Sequence, residues 1–291
     1  MTTHTVTELI SVKGDPRHRS SRRRGHGGIL SALAWLAGLM MVFPFLWMVI
    51  TAFKSEVDAV TLPPKVLFEP TFDQFQVAID NNFLPFFQNS LTASIVSVLL
   101  VIVLALPAAY SLSIRPIRKW KDVLFFLLST RMLPIAGAII PIYLIANWLG
   151  MLDQTLLLVI MYTAMNLPLA VWLIRSFMVE IPKEILEAAR VDGATFLQEL
   201  SRVVLPMVAP GLAATALLCF IFSWNEFFLA RSLTSVNAQT VPLYLVGFIS
   251  TQGLFLAKLS AASLLATLPV VLAGLLAQKQ LVRGLSLGAI K

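Results

Sequence analysis

Long runs without a charged residue set what this chain can fold into. A helix needs about 20 residues to cross a bilayer. Five uncharged runs reach that length, and they are Ile29–Phe53, Asn81–Ile114, Gln154–Ile174, Val203–Asn225 and Leu259–Gln278. A sixth run, Val123–Leu152, is interrupted only by Arg131. We therefore predict an all-α membrane protein with six transmembrane helices.

The composition agrees with this prediction. Hydrophobic residues make up 58% of the 291 residues and charged residues only 13%, whereas about 25% is usual for a soluble domain. The chain has a single cysteine, Cys219 in the run Val203–Asn225, so no intrachain disulfide is possible.

The positive charges predict the orientation in the membrane. Lys and Arg residues concentrate in four regions, namely the segment before Ile29, Arg115–Lys121, Arg175–Arg202 and the segment after Gln278. Six crossings place all four of these regions on one side, and such an excess marks the cytoplasmic face. We therefore expect a bacterial cytoplasmic (inner) membrane protein with both termini in the cytoplasm. The net charge of +7 then reflects orientation and not a nucleic-acid partner.

The same pattern suggests three regions. Residues 1–28 are polar and Arg-rich, and we expect a disordered basic cytoplasmic tail. Residues 29–281 hold the six helices, and the first of these is too long for a cleaved signal sequence. Residues 282–291 are expected to form a cytoplasmic C-terminal tail.

The cytoplasmic connection Arg175–Pro206 has more internal structure than an ordinary loop. Pro182 suits the first turn of a helix, and Gly193 is placed where a helix ends in a left-handed residue. Thr195–Gln198 is a capping box that starts a second helix. A helix-turn-helix of this kind can dock on a cytoplasmic partner. The alternative is an amphipathic helix on the lipid surface, which favours large apolar and basic residues and fits the Ala188–Ala189 pair poorly.

The loop resembles the permease subunits of binding-protein-dependent ATP-binding cassette (ABC) importers. Their pattern is Glu-Ala-Ala-x3-Gly-x9-Ile-x-Leu-Pro. This chain matches it, with Val203 for the Ile, at Glu187, Ala188, Ala189, Gly193, Leu205 and Pro206.

Further segments resemble the carbohydrate branch of that family, in particular the MalG-type subunit of maltose transporters. They are Asn89–Thr92, Ala108–Leu112, Arg131–Pro134, Trp224–Phe227 and Gly284–Lys291. The form around Arg131 resembles members that handle sugar alcohols.

The resemblance implies the partners and the division of labour. Two related permeases form the pathway, each docks its loop on one of two cytoplasmic ATPases, and an external solute-binding protein delivers a sugar or sugar alcohol. The sequence has no Gly-x4-Gly-Lys-Ser/Thr phosphate loop. ATP and magnesium are therefore expected on the partner ATPase, with no cofactor or catalytic site on this chain.

The resemblance assigns coupling to the ATPase to the six matched residues of the loop, with Glu187 pairing with a basic groove and Gly193 holding the bend. Candidate solute-pathway residues are Arg131, because a charge within a span is functional by default, and the group Trp224, Asn225 and Glu226, which combines a stacking face with polar groups. Structural roles for both remain open, namely an ion pair or packing for Arg131 and an aromatic membrane anchor for Trp224.

Other functions compete with this interpretation. The same architecture could import a polyamine, a phosphate ester or a peptide, and a channel or secondary carrier would work without an ATPase. Secondary carriers commonly show inverted repeats, and we find none. No His-Glu-x-x-His motif or embedded acid pair supports an intramembrane enzyme.

Overall fold

A computed structural model of the chain describes residues 26–250 and 253–288. The regular secondary structure of this part consists of helices and one two-stranded hairpin. In chain order its elements are α1 (His26–Ala52), α2 (Glu56–Ala59), α3 (Asp73–Asp80), α4 (Phe83–Ser113), α5 (Trp120–Met132), α6 (Ile135–Trp148), α7 (Thr155–Val179), α8 (Lys183–Val191), α9 (Phe196–Gln198), a π-helical turn (Glu199–Val204), α10 (Leu205–Trp224), α11 (Phe228–Leu233), α12 (Val241–Val246), β1 (Ile249–Ser250), β2 (Gly253–Leu254) and α13 (Leu256–Gly288).

The predicted fold class is confirmed. Five continuous helices within the described ranges are long and apolar enough to cross a membrane, and a bent pair supplies a sixth if it counts as one span. The sixth predicted span, Val123–Leu152, is not one continuous helix. Two helices, α5 and α6, meet there at 90°, with Leu133 and Pro134 in extended conformation between them. A proline disfavours helical geometry in the residue before it, so the chain bends at this point.

The first helix is a unit by itself up to Trp47. It begins at His26, within the last residues of the predicted tail 1–28; residues 1–25 lie outside the described part. Its apolar side chains are largely exposed.

The core of the second unit, Met48–Lys291, is built where α4, α7 and α10 pack together. Small residues permit this packing, because they let helix backbones approach closely in a membrane. Ala105 and Ala109 of α4 and Ala170 of α7 are fully buried. Larger side chains, among them Ile174 and Val208, fill the spaces between the helices.

Two short helices, α3 and α12, cover the end of this unit that lies opposite the α7–α8 connection. Helix α12 packs under α4, where the Ser90 hydroxyl accepts the Val241 N–H at 2.7 Å. Tyr244 donates its hydroxyl to the Ala78 carbonyl of α3 at 2.7 Å. At the other end of the chain α13 continues to Gly288, beyond the predicted domain boundary at 281, and residues 289–291 lie outside the described part.

Candidate functional site

The predicted helix-turn-helix is present between α7 and α10. Helix α8 ends at Val191, and Gly193 follows with φ of +80°, a value that glycine adopts at little cost. The Gly193 N–H donates to the Arg190 carbonyl at 3.1 Å and the Ala194 N–H to the Ala189 carbonyl at 3.0 Å. This pair of hydrogen bonds is a Schellman cap, so Gly193 sets the bend.

The second helix starts as predicted. The Gln198 N–H donates to the Thr195 hydroxyl, and the Gln198 side-chain oxygen accepts the Thr195 N–H at 2.8 Å. The helix then widens into the π-turn Glu199–Val204 before Leu205 and Pro206 open α10. π-Turns are rare and concentrate at functional sites, and this one contains the buried residue Glu199.

The motif residues of α8 differ in exposure. Glu187 and Ala188 are exposed, Ala189 is half-buried, and the preceding Leu186 is buried at 6% exposure. Leu186 is the residue that anchors α8 on the core. The exposed face of α8 therefore presents the carboxylate of Glu187 beside the small side chain of Ala188.

A buried charge cluster behind α8 was missed by the sequence analysis. The carboxylate of Glu199 is fully buried. It accepts hydrogen bonds from Tyr110 Oη at 2.7 Å, from Arg115 at 3.0 Å and from both Nε and Nη2 of Arg190 at 3.1 and 2.9 Å. We call Tyr110, Arg115, Arg190 and Glu199 the Glu199 cluster.

The cluster keeps Glu199 ionised. Arg190, Arg115 and Tyr110 together donate four hydrogen bonds to the carboxylate, and these favour its charged form against the effect of burial. The same interaction with Glu199 raises the pKa of the Arg190 guanidinium above its usual range. Tyr110 and Glu199 lie near the ends of the apolar helices Phe83–Ser113 and Phe196–Trp224, so the cluster joins the connection to two spans.

A cavity of about 200 Å³ lies beside this cluster. It is enclosed by the ends of α4 and α7 and by α8, and its lining includes Ser113, Met178, Leu186, Glu187 and Arg190. Glu187 therefore lies at the edge of a concave surface on the same side of the chain as the Glu199 cluster.

Arg131 lies at the end of α5, directly before the bend. It is exposed, donates Nη1 to the Met165 carbonyl of α7 at 2.8 Å, and its guanidinium lies 5.1 Å from the ring centroid of Phe222. It also lines a cavity of about 370 Å³ with Thr130, Met161 and Met165. Arg131 thus connects the end of α5 to α7 and α10, and its guanidinium also borders the cavity.

Trp224 does not lie with Arg131. Its side chain is 4% exposed, stacks on Phe220, meets the Phe87 ring edge-on, and donates its indole N–H to the Ala266 carbonyl of α13 at 3.1 Å. Residues two apart on a helix point about 200° from each other, so Trp224 and the Arg131 contact Phe222 lie on nearly opposite faces of α10. In this conformation no open stacking face is left on Trp224.

The two residues after Trp224 leave the helix. Asn225 is exposed and donates its amide to the Ile221 carbonyl at 2.8 Å. Glu226 is half-buried, and its carboxylate accepts the N–H groups of Leu229 and Ala230, which start α11. Of the predicted group only Asn225 is both polar and accessible in the described conformation.

A second well-ordered connection lies at the end of the molecule opposite α8. The Asp153 carboxylate accepts the backbone N–H groups of four consecutive residues, Ser235 to Ala238, at 2.9 to 3.2 Å. Burial opposes ionisation of Asp153, but these hydrogen bonds outweigh it and hold its pKa well below the usual range. Asn89 supports the same segment by donating to the Asn237 and Gln239 carbonyls.

Comparison with known proteins decides the family. The model of the family described as "Binding-protein-dependent transport system inner membrane component" matches residues 102–285, which include α8, the Glu199 cluster and α10. The chain belongs to this family. The resemblance seen in the sequence is thereby confirmed, and the chain is a multi-pass membrane component of a transport system.

Relatives agree with this assignment. The permease is 36% identical over 90% of its length to the probable ABC transporter permease protein y4oR of Sinorhizobium fredii, of which it covers 95%. It is 31% identical over 89% of its length to the trehalose/maltose transport system permease protein MalG of Thermococcus litoralis, of which it covers 94%.

A solved structure confirms the architecture. A chain of a bacterial ABC transporter involved in the import of the acidic polysaccharide alginate matches with a TM-score of 0.72 and 26% identity, over 89% of this permease and 98% of that chain. The chain therefore shares the fold of a solved ABC transporter component.

Proposed function

We propose that this permease pairs with a second permease subunit to form the pathway for a sugar or sugar alcohol. An external solute-binding protein delivers the solute, and two cytoplasmic ATPase subunits bind ATP and magnesium. Movement of the ATPases is transmitted through α8 and the turn that follows it. The single observation that carries this proposal is the exposed Glu187–Ala188 face of a helix whose other side is fixed to the membrane core.

The geometry of α8 supports docking. Ala188 presents no long side chain and so permits close approach, and the exposed carboxylate of Glu187 can pair with a basic groove edge. Ala189 is half-buried against the core, Gly193 fixes the bend, and Leu205 and Pro206 join the connection to α10. These six residues are the proposed coupling residues.

A sugar or polyol solute is supported by the named relatives, which include a trehalose/maltose permease and a component of an alginate importer. Within the pathway we assign a solute-facing role to Arg131, beside its cavity, and to Asn225. Glu226 and Trp224 act by shaping the pathway wall, because their polar atoms are hydrogen-bonded to backbone groups.

The proposed orientation places α8 and both termini in the cytoplasm. Four of the residues around the connection are basic, namely Arg175, Lys183, Arg190 and Arg202, and an excess of Lys and Arg marks the cytoplasmic side. Asp153 and the segment that it holds then face the external binding protein.

Uptake measurements test this function. The chain is produced with the partner permease, the ATPase and the binding protein encoded beside it, in cells that take up none of the probes. Radiolabelled trehalose and maltose are the sugar probes, mannitol is the sugar-alcohol probe, and spermidine is the non-sugar probe. We expect uptake of a sugar or polyol that requires both this chain and the ATPase. Uptake of spermidine alone would overturn the solute class, and uptake without the ATPase would indicate a secondary carrier.

A further inference from the structure

Glu199 is a buried carboxylate that the recognised loop motif does not include. Its exposure is zero, and it is one of the few charged side chains buried within the described residues. Removing a carboxylate from water costs several kcal/mol unless partners replace the lost hydration. A charge at this position therefore needs partners that are themselves held in place.

The partners of Glu199 come from separate elements. Tyr110 belongs to the last turn of α4, Arg115 follows the end of that helix, and Arg190 belongs to the last turn of α8. Arg190 binds both carboxylate oxygens with two nitrogens, the geometry that is strongest and most directional for an arginine. One carboxylate thus joins α8, the end of α4 and the start of the helix that becomes α10.

The π-turn makes this position possible. Glu199 and Val204 are both fully buried although they are five residues apart. On an α-helix such residues point well away from each other, whereas a π-turn winds more loosely with i to i+5 hydrogen bonds. The Leu205 N–H donates to the Leu200 carbonyl in this way. The turn therefore directs Glu199 towards Arg190 while Val204 stays in the core.

The end of α4 is itself fixed on the membrane core. Arg175 of α7 donates Nε to the Leu112 carbonyl at 3.0 Å, and its guanidinium lies 4.3 Å from the ring centroid of Trp120. The Tyr110 ring packs edge-on against Phe196 with centroids 5.0 Å apart. A displacement of α8 that preserves the Glu199 cluster must therefore move α4 and α10 as well.

We infer that Glu199 is a positioning residue for coupling: its carboxylate fixes α8 to the end of α4, so that a force on the exposed face of α8 reaches the transmembrane helices. This inference rests on the proposed function. It assigns transmission to Glu199 and Arg190, whereas Glu187 and Ala188 provide contact with the partner.

The first measurement follows the position of α8 directly. Spin labels are attached to Glu184→Cys on α8 and Arg118→Cys beyond α4, both exposed sites, in a Cys219→Ala background within the assembled transporter. We expect one narrow distance distribution for the unsubstituted cluster. Glu199→Gln leaves two arginines without a balancing charge, and Arg190→Gln removes the two-nitrogen link, so each should broaden the distribution. Unchanged distributions in both variants would overturn the inference.

The second measurement determines coupling in proteoliposomes, as solute imported per ATP hydrolysed. Each single variant should lower this ratio about fivefold. Because both substitutions break the same interaction, the double variant should be no worse than the poorer single one. Losses that multiply in the double variant would contradict a shared role. Arg190 is partly exposed, so Arg190→Gln remains informative if Glu199→Gln does not assemble.

The two proposals fail in distinguishable ways. If the unsubstituted transporter shows no ATP hydrolysis stimulated by the loaded binding protein, the proposed function is wrong whatever the label distances are. If stimulation is normal and Glu199→Gln changes neither the distances nor the ratio, the role of Glu199 is wrong and the function stands.

Discussion

The ring of Phe177 lies directly over Gly211, so closely that a Cβ atom on the glycine would overlap the ring carbons. Phe177 is near the end of α7 and Gly211 is in α10, hence the absence of a side chain lets these two helices meet. Replacement by alanine should force the Phe177 ring or the helices apart, at a cost of about 1–3 kcal/mol.

Thermal unfolding of the solubilised permease checks this expectation. Gly274→Ala is a matched control, since nothing lies within 4 Å of a Cβ at that helical glycine. We expect a lower unfolding temperature for Gly211→Ala and no loss for Gly274→Ala. Equal stability of the two variants would show that the α7–α10 contact is not as close as described.

Trp224 should behave as a structural residue. Trp224→Phe keeps an aromatic ring between Phe87 and Phe220 but removes the hydrogen bond to Ala266, which should lower stability by about 1 kcal/mol. The Michaelis constant for uptake should stay within about twofold of the unsubstituted value. A large rise in that constant with normal stability would instead indicate that Trp224 contacts the solute.

Gly193 tests the bend after α8. Because its φ is +80°, a β-branched residue is strained there, whereas asparagine tolerates left-handed geometry. We expect Gly193→Val to reduce uptake without preventing membrane insertion and Gly193→Asn to retain most of it. Uptake and membrane content of both variants are measured side by side; equal loss in both would mean that side-chain bulk and not backbone geometry is limiting.

The Asp153 connection has an expected dependence on pH. Its pKa is lowered in the folded chain, so its stabilising effect is present above the unfolded value of about 3.8 and is lost as the pH falls through the folded pKa. Asp153→Asn should therefore reduce stability equally at pH 8 and pH 5, with the difference from the unsubstituted chain shrinking only below about pH 4. A difference that disappears already at pH 6 would contradict the assignment.

The sequence predicted the helices better than the interactions between them. Uncharged length was enough to place three of the five continuous spans within three residues at both ends, and these are Leu30–Ala52, Phe83–Ser113 and Leu256–Gln278. The sequence could not distinguish a kinked helix from a broken one at Pro134. A proline restricts only the conformation of the residue before it. The 90° bend also depends on contacts distant in sequence, such as the hydrogen bond from Arg131 to Met165.

The candidate site was predicted in part for a similar reason. Local rules identified Gly193 and the Thr195–Gln198 capping box, because their hydrogen bonds span only a few residues. Glu199 was missed because a single charge in a polar connection is usually solvated. Its partners Tyr110 and Arg115 are more than 80 residues earlier, and no spacing rule connects them.

The most direct measurement is ATP hydrolysis by the assembled transporter in lipid nanodiscs, with and without the loaded binding protein. Glu187→Lys is compared with Glu184→Lys, an equal charge change at another exposed position of α8. We expect strong stimulation of the unsubstituted transporter and of Glu184→Lys, and loss of stimulation for Glu187→Lys. Full stimulation of Glu187→Lys, or solute transport by the permease in liposomes without any ATPase, would contradict coupling through α8.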